Sequence, residues 1–289
     1  MRARPGDVTA RPADRVAASP QDCKAAVLDV IRGAKRNLSL SLFRCNDPDV
    51  FDELRRARDR GVAVEALITA RAGGAVSKLE KLRRRLAEAG ASISTYADPV
   101  VKYHAKYLVA DDGPAIVASL NFTKKCFSKT IDAVVVTCDP AVVQGLRDLM
   151  AADRQMHRAP AGLPSRLIVG PERARTQLTD MLRAATSSIR LLDAKLSDPA
   201  FVALLGERRA AGIDVELLDS KRYGERKSHG KVCLIDDRVA VVGGLALAAL
   251  SLDFRREVAL VVDAPEAVAE LRKLLDGVSS MSADARASA

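Results

Sequence analysis

The chain has 289 residues, 48% of them hydrophobic, which is enough apolar material for a sizeable core and excludes a largely disordered chain. No uninterrupted apolar stretch approaches the length of a bilayer span, and residues 1–20 hold no hydrophobic segment of the signal-peptide kind, so a cytoplasmic protein without a transmembrane segment is expected. The net charge of +9 suits a polyanionic partner without choosing among nucleic acid, phospholipid head groups and a phosphorylated small molecule.

The first helix signal is Ser19-Pro20-Gln21-Asp22, with capping-box spacing and proline at the first helical position; it predicts a helix to about Lys35. Apolar patterning then predicts a strand over 38–43, a helix over about 48–60 and a strand over 62–68. A helix follows near 76–90, with Val76, Leu79, Leu82 and Leu86 on one face and Lys78, Lys81, Arg83, Arg84 and Arg85 largely elsewhere. It reads as a core helix with a solvated basic face rather than a dedicated binding helix. Around 104–111 the apolar alternation predicts a strand, then a polar turn, Asp111-Asp112-Gly113-Pro114, and a second strand over 115–120. A hairpin turning near Asp112-Gly113 puts His104 across from Leu120-Asn121, with Ser119 and Asn121 beside it. Residues 153–164, rich in Pro, Gly and Ala without a period, read as a linker between a first half, 1–158, and a second, 165–289. The second half repeats the order from Pro171, and the tail beyond about Gly277 is expected to fray.

That order is an internal repeat. Residues 29–67 align without a gap on residues 180–218, sharing Arg32/Arg183, Asp47-Pro48/Asp198-Pro199, Arg58/Arg209 and Gly61/Gly212. Residues 104–132 align on 229–257, so the first half carries 26 extra residues between its two blocks, and these hold the 76–90 helix. Alternating helices and strands in each half predict an α/β fold of two pseudo-two-fold-related halves, each a mixed sheet flanked by helices, with the functional cleft between them. The five cysteines are scattered and free of CxxC spacing, which signals neither a disulfide framework nor a zinc site.

Two of the three histidines sit in matching contexts, His104-Ala105-Lys106 with Asp111 and His229-Gly230-Lys231 with Asp236. On a strand, His and Lys two residues apart share a face, while the Asp opens the following turn. After the first motif stand Ser119, Asn121 and Asp132; after the second, Gly244, Ala246 and Glu257, with Asp132 and Glu257 each 28 residues beyond their histidine. Displacement at phosphorus needs a nucleophile, an acid for the leaving oxygen and positive charge on the non-bridging oxygens. Two imidazoles and two ammonium groups supply all of these, so no metal or other cofactor is called for. A monomer suffices for such a site.

This constellation resembles the phospholipase D superfamily, whose pattern is HxKxxxxD followed by GSxN and a further acidic residue. The resemblance implies a phosphohistidine cycle with His104 as nucleophile and His229 as general acid, then base; the residues alone allow the reverse. It also implies that Lys106 and Lys231 hold the phosphate oxygens, that Ser119 and Asn121 add hydrogen bonds, and that Asp132 and Glu257 orient the imidazoles. Asp111 and Asp236 are counted in the catalytic motif, yet suit the anchoring of a turn better than contact with substrate. Ala118, Asp132, Gly244 and Ala246 depart from the pattern at positions of Gly, Glu, Ser and Asn, leaving the second copy with fewer hydrogen-bond donors.

Basic residues flank both histidines at Lys102, Lys124-Lys125, Lys221-Arg222 and Arg226-Lys227. Aromatic content of 3% leaves few platforms for stacking bases, and no amphipathic surface helix of a membrane-docking lipase is evident. The expected function is a phospholipase D-type hydrolase or phosphatidyl transferase acting on an anionic phosphodiester, a phospholipid first, with peripheral membrane contact. An endonuclease is the alternative, and a non-catalytic polyanion-binding protein a third reading from another class.

Overall fold

The computed structural model describes residues 13–71 and 76–287; residues 1–12, most of the stretch read for a leader, lie outside it. The first half begins with β1 (Arg15–Ala17), α1 (Pro20–Gly33), β2 (Asn37–Leu42), α2 (Pro48–Asp59), β3 (Ala63–Thr69), α3 (Val76–Glu88) and β4 (Ser92–Tyr96). Ser19 caps α1 through its hydroxyl, which accepts from the Asp22 N–H, and Asp47 caps α2 by accepting from the Asp49 N–H. It continues through β5 (Lys102–Tyr103), β6 (Tyr107–Ala110), β7 (Ala115–Ala118), α4 (Cys126–Lys129), β8 (Thr130–Ile131), β9 (Val134–Thr137) and α5 (Pro140–Arg154).

The second half comprises β10 (Leu167–Gly170), α6 (Ala174–Arg183), β11 (Ser188–Leu192), α7 (Pro199–Ala210), β12 (Asp214–Leu218), β13 (Arg222–Tyr223) and β14 (Arg226–Ser228). Then come β15 (Val232–Ile235), β16 (Val239–Gly243), α8 (Ala249–Phe254), β17 (Arg255–Val262) and α9 (Pro265–Ala287). The strand orders are β1-β9-β7-β6-β2-β3-β4 and β10-β17-β16-β15-β11-β12, the same mixed sheet twice, with β1 matching β10 and β4 added at the edge of the first. Helix α3 and strand β4 are the extra segment between the two aligned blocks of the first half.

Among the described residues, apolar side chains build three cores. One packs α1, α2 and α3 on the outer face of the first sheet; another packs α6, α7 and α8 on that of the second. The central core joins the inner faces of both sheets to α5 and α9, through residues such as Tyr107, Val117, Leu146, Val242, Leu260 and Leu271. Burial on both faces explains why β6, β7, β15 and most of β16 and β17 read as unbroken apolar runs.

Four expectations change. Helix α9 does not stop near Gly277: Leu275 and Val278 are buried in the central core, and the helix runs on to Ala287. In α3, Leu82 and Leu86 are buried, but Val76 is 62% exposed, at the end of the helix that projects beyond the core. Asp153, read as the start of the linker, lies buried inside α5, where it accepts from Arg256 Nε at 2.7 Å. Arg256, itself buried, also donates to Glu172 and to the Gly170 carbonyl, ties that satisfy an otherwise costly internal charge. Finally, the strand expected to start at His104 starts at Tyr107. Residues before it leave the first sheet, where β5 pairs in parallel with β17 of the second half and β14 pairs with β8 of the first.

Candidate active site

The crossing of strands between halves determines where the two histidines sit. His104 N–H donates to the Arg256 carbonyl at 2.9 Å, and Gly230 N–H donates to the Ile131 carbonyl at 2.8 Å, so each motif opens against the backbone of the opposite half. The approach at Gly230 is close: a Cβ there would meet the Ile131 oxygen at 2.9 Å, which accounts for Gly where the first motif has Ala105. The hairpin register placed His104 beside Ser119 and Asn121; in the structure its backbone N–H is held by the second half.

Each imidazole is instead oriented by a carboxylate from the other half. His104 Nδ1 lies 2.8 Å from Glu257 Oε1, and His229 Nδ1 lies 2.9 Å from Asp132 Oδ1; both carboxylates are buried. A proton on Nδ1 shared with the carboxylate leaves Nε2 as the ring nitrogen available for chemistry on each ring. Lys106 Nζ also comes within 2.9 Å of His104 Nδ1, but that nitrogen's proton has one acceptor; with Glu257 taking it, Lys106 donates to the His104 carbonyl at 2.5 Å. Lys231 makes the corresponding bond to the His229 carbonyl. Ser119 donates to Asp132 at 2.7 Å, and the Asn121 amide lies 3.4 Å from His229 Nε2. Ser119 and Asn121 thus serve the histidine of the second motif.

The departures in the second half acquire a physical reason. Gly244 occupies the position of Ser119, and a Cβ there would meet Glu257 Oε2 at 2.2 Å. The longer Glu257 fills the space that Ser119 takes beside the shorter Asp132, a Ser-plus-Asp pair exchanged for Gly-plus-Glu. The missing hydroxyl is supplied by Ser251, which donates to Glu257 Oε1 at 3.2 Å from a position aligned with Cys126. The second copy therefore keeps a donor to its carboxylate, which correspondence with Ser119 alone did not reveal.

Asp111 and Asp236 lie outside this cluster, at left-handed turn positions with φ of 45° and 54°. Asp111 accepts from the N–H groups of Lys35, Arg36 and Asn37. Asp236 accepts from those of Thr186, Ser187 and Ser188 and from two hydroxyls. Burial alone would raise both carboxyls, but the backbone N–H bonds outweigh it and hold them below the usual range. Both pin the hairpin turn to the loop before the paired strand.

His104, Lys106, Ser119, Asn121, His229 and Lys231 line one cleft of about 270 Å³. Arg44, Lys102, Lys195 and Arg255 complete its cationic lining. Of these, sequence reasoning singled out Lys102 alone; the signal for another pair was present, since the repeat aligns Arg44 on Lys195 just beyond equivalent strands. Burial pushes Lys106 down to about 8, partly opposed by Glu257 and reinforced by Lys231. Burial likewise pushes His104 down to about 3 against the pull of Glu257, so its imidazole is neutral in the working range. Cys126, Asp132 and His229 bring three metal-capable atoms within 4.8 Å of one another, which cysteine spacing did not suggest. Burial and Asp132 keep the Cys126 thiol protonated, and His229 Nδ1 is engaged by Asp132, so the trio suits hydrogen bonding better than metal ligation.

The family model described as "Cardiolipin synthase, PLD-like domain" matches residues 27–154, the half containing the first His–Lys motif. That half matches the phospholipase D-like family, which supports the phospholipase D superfamily for the chain. Among solved structures, polyphosphate kinase from Porphyromonas gingivalis superposes with a TM-score of 0.72 at 16% identity, over 91% of this chain and 50% of the kinase; this chain thus spans half that protein's length. Phosphatidylserine synthase from Haemophilus influenzae superposes with a TM-score of 0.70 at 12% identity, over 93% of this chain and 85% of the synthase. Nuc, a phospholipase D family member from Salmonella typhimurium, is 23% identical over 51% of this chain and 97% of its own, with a TM-score of 0.45. No curated protein sequence matches the chain. At these identities the structural likeness concerns the fold, and the match to the phospholipase D-like family model supports a phosphodiester-acting enzyme in general.

Proposed function

We propose that this phospholipase D-like protein cleaves phospholipids at the head-group side of the phosphate, by hydrolysis or transfer through a phosphohistidine, in the cytoplasm and without a metal. The observation that carries the reading is the cross-paired arrangement of two imidazoles, each held through Nδ1 by a buried carboxylate of the opposite half, facing one cationic cleft. His104 Nε2 attacks phosphorus, the bond to the head-group oxygen breaks, and that oxygen takes a proton from His229. His229 then removes a proton from water or an alcohol; the resulting oxygen bonds to phosphorus, and the P–N pair returns to His104. Lys106 and Lys231 hold the non-bridging oxygens, with Arg44, Lys195 and Arg255 adding positive charge. Among the described residues no helix is long and apolar enough to cross a membrane, and the contact proposed with a lipid surface is peripheral.

An endonuclease is the second reading, favoured by the cationic lining of the cleft. The test is turnover in EDTA of phospholipid vesicles and a labelled oligonucleotide by wild type and His104→Ala. Lipid cleavage that survives EDTA and disappears in the variant is the expected result. Oligonucleotide cleavage lost in the variant instead makes the protein a nuclease, and polyanion binding undiminished in the variant without any turnover makes it a binding protein.

A further inference from the structure

Beside the cleft, and sharing Phe43, Arg44, Asn121 and His229 with it, lies a larger cavity of about 580 Å³, the size of a small-molecule site. Its lining includes six cations, Arg44, Lys78, Lys81, Arg85, Lys125 and Lys227, and among the described residues no carboxylate. Helix α3, the segment absent from the second half, contributes three of them. Lys125 and Lys227, both exposed at the mouth of the cavity, come from opposite halves; Lys125 first, then Arg222, holds the Lys227 ammonium below its usual range. The Ser228 hydroxyl and the Asn121 amide oxygen, both at the cavity, are buried without a hydrogen-bond partner among the described residues. Uncompensated like charge and orphaned polar atoms are costs that a bound anion carrying its own hydroxyl groups would offset.

Position says which part of a substrate enters. In an in-line displacement the leaving group departs opposite the nucleophile. With His104 attacking, that side is the side of His229, where the cavity opens. We infer that the cavity is a leaving-group site for a phospholipid whose head group carries a phosphate of its own, with helix α3 as the added element that selects it. This rests on the phosphodiesterase reading above and on its assignment of His229 as the acid. The scissile bond is unchanged: phosphorus gains the His104 nitrogen and loses the head-group oxygen, which takes the His229 proton. The departing alcohol leaves with its own phosphate intact.

The test compares vesicles of phosphatidylglycerol with vesicles of phosphatidylglycerol phosphate, two lipids that differ by one head-group phosphate. The full chain, Lys78→Ala/Lys81→Ala and Lys125→Ala/Lys227→Ala are assayed in parallel. Wild type is expected to prefer the phosphorylated head group by about tenfold in kcat/KM, the scale of two partly exposed ion pairs, and each double variant to bring the ratio near one. Equal rates on both lipids in wild type, or a preference that persists in both variants, would overturn the inference. If neither lipid is cleaved, the phospholipid reading has failed. Calorimetric titration with inorganic pyrophosphate then decides whether the cavity is an anion site: saturable binding weakened in both variants keeps it, and no binding removes it.

Discussion

At the residue scale the site depends on charges held out of water. Lys106 is nearly inaccessible, and burial is the first cause of its fall to about 8, so below that pH it carries its charge and above it loses it. As pH rises through about 8, kcat/KM is expected to fall, whereas His104, already neutral, contributes no limb at neutral pH. A pH–rate profile flat to well above 8 would show that the Lys106 charge is not needed. The carboxylates act through the imidazoles they hold: Glu257→Gln and Asp132→Asn are each expected to lower kcat by about 10- to 100-fold while leaving KM nearly unchanged, as measured by steady-state kinetics. The residue types were legible in the sequence because the repeat placed each acid 28 positions beyond its histidine. Which acid serves which histidine was not, since spacing within one half carries no information about the other half.

At the element scale, the repeated hairpins are fixed by their turns. Asp236 gathers three backbone N–H groups and two hydroxyls from residues 186–188, and this network links β15 to the start of β11. Asp236→Ala should cost about 2–3 kcal/mol of stability in urea, the worth of a charge-assisted bond lost with its partners left bare. Asp112→Ala, at the exposed turn of the first hairpin, should stay within about 0.5 kcal/mol. Helix starts were legible from their caps, at Ser19-Pro20 and Asp47-Pro48. The ends were not: α9 continues past Gly277 because its apolar face packs into the central core, and α3 turns its cations toward a cavity rather than only toward solvent.

At the scale of the whole molecule, the cleft exists because the halves exchange strands and charges. Arg256 from β17 reaches Asp153 in α5 and Glu172 beyond β10, tying the two halves together in the interior. Arg256→Met strands the buried Asp153 and the half-buried Glu172 and should cost about 3–5 kcal/mol, seen as a lower urea midpoint. The Arg256 carbonyl receives the His104 N–H, and the next residue, Glu257, holds the His104 ring, so activity of the folded variant also reports how far this anchor keeps His104 in register.

By itself the sequence determined a duplicated α/β chain, two His–Lys motifs in equivalent places and the acids that go with them, because repeat spacing and local patterning are properties of the chain. The tertiary structure alone decided that each acid orients the opposite half's imidazole, that Glu257 displaces a serine from position 244, and that α3 walls a cationic cavity beside His229. Those are contacts between segments far apart in sequence, set by how two sheets pack against one core.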